Sequence, residues 1–504
     1  MKCLENPRPR VRWTVFAVIA LLAFGVRLPQ LGERPMHTDE AINGYITGDL
    51  LAGHPFRYDP KDRHGPALYL LAKSIAQLCG ATKFADLTEV QLRLTPVIVG
   101  SATVLLFGAG VDLFGFAACV VAALLFAIAP LPLYYSRYFI HETLFVAATL
   151  GLILSAGKAL NTHSLLATAL AGLCAGLMLA TKETAVIHFF ALGVSACGWI
   201  WSARPKMMPS RLTGLGILLL GVGIFAITTI LLFAWSSRDW EAVGGLTRAL
   251  PLFAKRAGGE GHEKPFWYYM VLLGSGWSGA ILFALAIGGF VIVVFDFARE
   301  KLFSPWSFVS LYGVVVATAY TFIPYKTPWL ALNFWLPMSL LIGLAVTRLW
   351  KKLEQSPARS LLLVPALLIG IAIRHDVRNR VFRFPADEKN PYAYAHTVDQ
   401  LLELPPRIAK LADEAHLSSP RIAVVAADPW PLPWYLRKYL QVGFWQPGDD
   451  TGQANFFITS PDAAEKLGDK LQGFRPEYFG LRPEAIVILW RPEQLTNQPT
   501  ALQP

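Results

Sequence analysis

Long apolar runs recur along the first three quarters of the chain, and each is long enough to cross a hydrocarbon layer of about 30 Å as a helix. Lipid offers no partner to a backbone N–H or C=O, so such runs must pair their own backbones. Eleven spans are expected: Trp13 to about Pro29, Leu92 to Val111, Phe114 to Tyr134, Thr143 to Gly157, Leu165 to Ala180, Thr184 to Ser202, Thr213 to Ser236, Phe266 to Phe295, Phe303 to Ile323, Pro328 to Thr347 and Leu361 to Ile373. The fourth and fifth are short. Hydrophobic residues make up 54% of the 504 and charged ones only 16%, which fits a polytopic α-helical membrane protein.

Arg8, Arg10 and Arg12 precede the first run and place the N-terminus in the cytoplasm of the cell (plasma or inner) membrane by the positive-inside tendency. No small-x-small cleavage site precedes Arg27, so the run reads as an anchor rather than a signal peptide. Alternation then puts Lys158, the Arg204/Lys206/Arg211 cluster, Arg299/Lys301 and Arg348/Lys351/Lys352 inside. Outward loops carry a comparable number of Lys and Arg, so the orientation rests on the N-terminus and on parity. An odd number of spans leaves everything after about His375 outside.

The expected organisation is a membrane domain over 1–374 and an extracytoplasmic α/β domain over 375–504. In the latter, Arg421–Ala427, Ala454–Thr459 and Ala485–Trp490 read as short buried strands, and the closing Pro, Gln and Thr residues as a frayed tail. The first outward loop, 31–91, contains Ala67–Leu78, an apolar stretch with few polar interruptions that suits a helix lying in the interface.

A net charge of +10 without a dense basic run argues against nucleic acid and for the lipid bilayer as partner. Cys3, Cys79, Cys119, Cys174 and Cys197 form neither a disulfide framework nor a CxxC metal site. No P-loop, dinucleotide fingerprint, nucleophile elbow or HExxH motif stands at a credible position. An outward site has no ready access to ATP or nucleotide sugars, so an enzyme there needs a donor delivered by the membrane.

Charged residues lie just beyond apolar spans at ends that alternation brings together: Asp39-Glu40, His141-Glu142, Lys182-Glu183 and Lys326. Carboxylates from separate loops facing one another suit base-assisted transfer or metal binding. Lys182, Lys326 and Arg137 either snorkel to the interface or contact a phosphate, whose developing charge they would offset. Trp329 fits an interface anchor. His64-Gly65-Pro66 reads as a loop-to-helix junction leading to Tyr69, or as a substrate or metal contact. The aromatic, Pro-rich loop Asp428–Tyr435, with Trp430 and Trp434, either docks its domain or walls an acceptor site. Acids beside His37, His64 and His141 permit a divalent metal ion, although their spacing matches neither an EF-hand nor a zinc site.

The ordered set Thr38-Asp39-Glu40, Tyr58-Asp59 with His64–Tyr69, Tyr135–Glu142, Thr181–Thr184, Tyr325–Trp329 and Trp430–Arg437 resembles the flippase-activity-associated membrane protein family of archaea and bacteria. More distantly it is similar to protein O-mannosyltransferases and lipid A aminoarabinose transferases, polyprenyl-phosphate-sugar-dependent enzymes of the GT-C fold. The resemblance implies inverting transfer from a polyprenyl-phosphate sugar to an acceptor that remains unknown. It implies Asp39 as general base, with Glu40 and Glu142 supporting it or binding metal. Lys182, Lys326 and Arg137 would contact phosphate, and His64, Tyr69, His141, Glu183, Trp329, Trp430 and Trp434 would complete the substrate site. Relatives commonly carry Pro-Pro where this chain has Gly65-Pro66 after His64. The competing class is a flippase component for lipid-linked sugars, which would place binding residues near the bilayer midplane; here the charges sit at span ends.

Overall fold

The structure, a computed structural model, describes residues 7–61, 63–202, 211–235, 240–259, 261–353 and 356–495. Arg204 and Lys206, Asp62, Arg238, Cys3 and the closing tail lie outside the described residues.

The chain opens with α1 (Pro9–Arg27), where Pro9 takes a first-turn position that needs no N–H. Two helices then lie between the first two spans, α2 (Thr38–Leu51) and α3 (Ala67–Leu78). The latter occupies the expected interfacial stretch; α2 was expected only as loop. The next span, α4 (Glu89–Ala109), starts at a capping box in which Thr88 and Gln91 satisfy each other's backbone N–H groups.

The expected run from Phe114 to Tyr134 is broken into α5 (Val111–Phe114), α6 (Phe116–Ile128) and α7 (Pro130–Tyr135). Proline cannot continue a helix, and Ala129 before it is extended. There follow α8 (Glu142–Thr162), α9 (Leu165–Thr181), α10 (Ala185–Ser202), α11 (Arg211–Ile230) and α12 (Glu241–Arg256). The run from Phe266 divides into α13 (Tyr268–Gly274) and α14 (Gly276–Glu300), because Gly276 turns through φ +83°, a conformation other residues resist. The bundle closes with α15 (Pro305–Phe322), α16 (Leu332–Lys352) and α17 (Leu363–Val377).

Among the described residues, eight helical segments are long and apolar enough to cross a membrane, and Ala67–Leu78, Phe116–Ile128 and Leu165–Thr181 are shorter apolar helices. α16 is buried over most of its length and packs against α6, α14 and α15, as an all-round apolar helix should. By contrast, α1, α11, α14 and α17 expose Leu21, Leu219, Phe295 and Leu367, side chains that suit contact with lipid tails.

Beyond the bundle, α18 (Leu404–Glu414) leads into a five-stranded sheet of order β2-β1-β3-β5-β4. Its strands are β1 (Arg421–Val425), β2 (Gln441–Trp445), β3 (Phe456–Thr459), β4 (Phe474–Arg482) and β5 (Ala485–Pro492), with α19 (Leu432–Tyr435) and α20 (Pro461–Leu467) between them. β1 pairs parallel with β2 and β3, while β5 runs antiparallel to β3 and β4. Leu404, Ile408 and Leu411 of α18 pack with Ile422, Val424 and Ile458 to form its core. The α19 loop fastens this layer to the bundle: the Met36 N–H donates to the Tyr435 hydroxyl at 2.7 Å, and the Trp434 indole N–H donates to Glu89 at 2.7 Å.

Candidate active site

The first turn of α2 supplies two neighbouring acids in opposite situations. His37 caps the helix: its Nδ1 accepts the Asp39 N–H at 3.0 Å, so its other nitrogen, Nε2, carries the proton and donates to the Tyr394 carbonyl at 2.9 Å. Burial, outweighing the nearby acids, holds its pKa below the ordinary histidine value and keeps it neutral. Glu40, with no exposed surface, accepts from Arg93 Nε and Nη2, each at 2.8 Å, from Arg34 Nη2 at 2.9 Å and from the Phe139 N–H at 2.9 Å. Burial alone would raise its pKa, but the Arg34 and Arg93 guanidiniums overcome that and bring it down to about 2.

Glu40 is thus a bolt that locks the helix start. Asp39, one residue earlier and half-buried, faces a cavity of about 640 Å³, within the usual size of ligand sites. Its carboxylate accepts no hydrogen bond and pairs with no cation among the described residues.

The other acids in this cavity are held. Glu142, at the start of α8, bonds the Lys182 ammonium, which sits where α9 ends and the backbone becomes extended. Glu183 accepts from the Tyr58 hydroxyl and pairs with His64 Nδ1, both at 2.8 Å. Burial pushes the Glu183 pKa up, yet the His64 contact and the Tyr58 hydrogen bond hold it below the ordinary value. Gly65 makes this approach feasible, since a Cβ there would stand 2.2 Å from the Ala180 carbonyl oxygen. His141 packs edge-on against His64 at 4.9 Å and Tyr69 at 5.3 Å; burial keeps it neutral, and its Nε2 has no partner.

Asp39, His64, Tyr69, His141, Glu142, Lys182, Glu183 and Trp329 line one cavity. Five of the expected site residues stand elsewhere, the first being Glu40, held by Arg34 and Arg93 away from this cavity. The Lys326 ammonium turns away and donates to the Ile323 carbonyl at 2.6 Å, although Tyr325 beside it does line the cavity. Arg137 donates to the Pro29 carbonyl at 2.5 Å and lies over Phe382, bordering a different cavity. Trp434 of α19 is fully buried against Gly44 of α2 and Phe84, and Trp430 packs on Tyr45 at 6.0 Å, so this loop docks its layer rather than walling the cavity.

Sequence reasoning missed Arg256 and Tyr320. Arg256 ends α12, whose guanidinium bonds the Lys61 carbonyl and lines the cavity. The basic pair Lys255-Arg256 closing an amphipathic stretch was the available signal. Tyr320 lay hidden in an apolar run. As for metal, no group of three or more His, Cys, Asp or Glu side chains among the described residues is arranged to hold an ion; Glu142 and Glu183 already have partners, so the residues present do not fit one.

No protein-family model matches the chain, and no curated protein does. Solved structures do. ArnT from Cupriavidus metallidurans in the apo state aligns with a TM-score of 0.63 at 16% identity, over 96% of this chain and 99% of that one. The same protein bound to undecaprenyl phosphate gives 0.61 at 15%, again over 96% and 99% of the two chains. The oligosaccharyltransferase AglB from Archaeoglobus fulgidus, in complex with an inhibitory peptide and a dolichol-phosphate, gives 0.55 at 14%, over 96% of this chain and 76% of that one. At such identities the likeness is one of fold, and the fold is that of the GT-C membrane glycosyltransferases.

Proposed function

We propose that the chain is a membrane glycosyltransferase that moves a sugar from a polyprenyl-phosphate donor to a lipid, glycan or protein acceptor at the extracytoplasmic face, with its N-terminus in the cytoplasm and residues 375–504 outside. The observation that carries this reading is Asp39, the cavity carboxylate left without a partner beside Lys182 and Arg256. ArnT was captured with undecaprenyl phosphate and AglB with a dolichol-phosphate, which supports a lipid-phosphate donor here.

In the proposed reaction Asp39 takes the proton of the acceptor hydroxyl or amine as that atom attacks the anomeric carbon. The bond from this carbon to the phosphate oxygen breaks with inversion, and its electron pair leaves with the lipid phosphate. Arg256 and Lys182 offset the charge gathering there. Tyr58, His64 and Glu183 form the hydrogen-bonded wall that keeps the cavity's shape.

Transfer by purified protein in liposomes carrying a panel of polyprenyl-phosphate sugars tests this, comparing wild type with Asp39→Asn, with and without chelator. Turnover should disappear in the variant while donor binding persists. Undiminished turnover would remove Asp39 from the mechanism. No transfer by wild type with any donor, alongside measurable lipid flipping, would sink the transferase reading.

A further inference from the structure

A second cavity of about 740 Å³ opens beside the segment Gln30–Pro35 that follows α1, below the stretch Val381–Lys389 that descends from α17. An aromatic layer divides it from the first. The Arg34 guanidinium lies 4.5 Å over the Tyr138 ring, and that ring stands 6.2 Å from Trp329, which lines the Asp39 cavity.

The floor is built of buried guanidiniums. Arg34, Arg93 and Arg137 are 8%, 1% and 7% exposed, and all three line the cavity. Arg27, fully buried, stands behind them, bonded to the Ser136 hydroxyl at 2.6 Å. Against these four cations the described residues place one buried carboxylate, Glu40, shared by Arg34 and Arg93. Arg137 bonds only backbone carbonyls, and its Nε has no partner. Burial and then the fields of Arg34 and Arg93 pull the Arg137 pKa down to about 9. The acids bordering the cavity, Glu33, Asp387, Glu388 and Asp399, are exposed at its rim, where water screens them. Uncompensated buried charge is expensive, so a fold that keeps such a floor has a counter-charge to place on it.

We propose that this cavity binds a phosphate monoester, its dianion seated against Arg137 and Arg34, with the exposed Arg383 closing over it. Guanidiniums suit phosphate because their N–H groups meet its oxygens in pairs. The site is separate from the Asp39 cavity and does not depend on the transferase reading.

Equilibrium binding to the full-length protein in phosphatidylcholine nanodiscs tests it, with inorganic phosphate and dioctanoyl phosphatidic acid as probes. Arg137→Gln should weaken binding at least tenfold, the loss of a charge-assisted hydrogen bond. Arg383→Gln, on the surface and unable to unfold the chain, should weaken it a few-fold. Arg256→Gln, in the first cavity, should leave this binding in place. Tighter binding of phosphatidic acid would identify a lipid headgroup and equal binding a soluble phosphomonoester. The proposal is overturned if wild type binds neither probe, if Arg137→Gln and Arg383→Gln both bind as wild type, or if Arg256→Gln alone removes the binding.

Discussion

The two cavities share the Tyr138–Trp329 layer as a wall and carry opposite charge balances. On one side the carboxylates Asp39, Glu142 and Glu183 face the cations Lys182 and Arg256, so acid is in surplus. On the other, the described residues set four buried guanidiniums against one buried carboxylate, Glu40. The division falls inside a single helical turn: side chains of consecutive helical residues point about 100° apart, so Asp39 faces one cavity while Glu40 turns to the arginines. Adjacent acids thus acquire different surroundings from geometry alone, one without a partner among the described residues and the other clamped by two guanidiniums.

Exchanging each acid for its amide should break this contrast in opposite directions. Asp39→Asn is expected to lower turnover by roughly 10²- to 10⁴-fold, the usual worth of a general base, with a melting transition like that of wild type. Glu40→Gln leaves the surrounding guanidiniums without a counter-charge, and removing one partner of a buried ion pair costs about 3–5 kcal/mol. Its signature is a large fall in thermal stability measured in nanodiscs. If Asp39→Asn melted as low as Glu40→Gln, both acids would be structural and the contrast would fail.

Acid titration sharpens the same point. Glu40 has a folded pKa of about 2 against 4.5 for the ordinary group. A depressed carboxylate contributes stability above its unfolded value and loses it as pH falls through the folded one. The stability difference between wild type and Glu40→Gln should therefore be full above pH 4.5 and shrink between there and about 2. A difference independent of pH across that window would show that packing, not charge, holds the turn.

The sequence made the convergence of Asp39, Glu142 and Lys182 readable because each ends an apolar run, and a run's end fixes its depth. Lys326 also follows an apolar run, yet depth does not fix where a long side chain points: its ammonium folds back to the Ile323 carbonyl three residues earlier, and the Arg137 guanidinium is drawn to the distant Pro29 carbonyl. Helix α2 was illegible because its own residues favour no helix strongly: it carries Gly44 and Gly48 and owes its start to the His37 cap. Gly44 packs against the Trp434 ring, a contact that only the folded chain supplies. In the sheet, the anticipated strands β1, β3 and β5 are the inner ones, and the unanticipated β2 and β4 are its edges. An inner strand buried on both faces reads as an apolar run, whereas an edge tolerates polar residues and even Pro476.

The smallest effect concerns whether the shared wall isolates the two sides. Tyr58→Phe removes one hydrogen bond to Glu183, leaving His64 as its partner, and should cost about 1 kcal/mol of stability. Combined with Arg137→Gln, the loss should equal the sum of the single losses within about 0.5 kcal/mol, because the two groups share no partner. A larger coupling would mean that the aromatic layer moves as a unit and transmits occupancy. The donor and the phosphate ligand would then bind with linked affinities, and the opposite charge surpluses would be two halves of one responsive site.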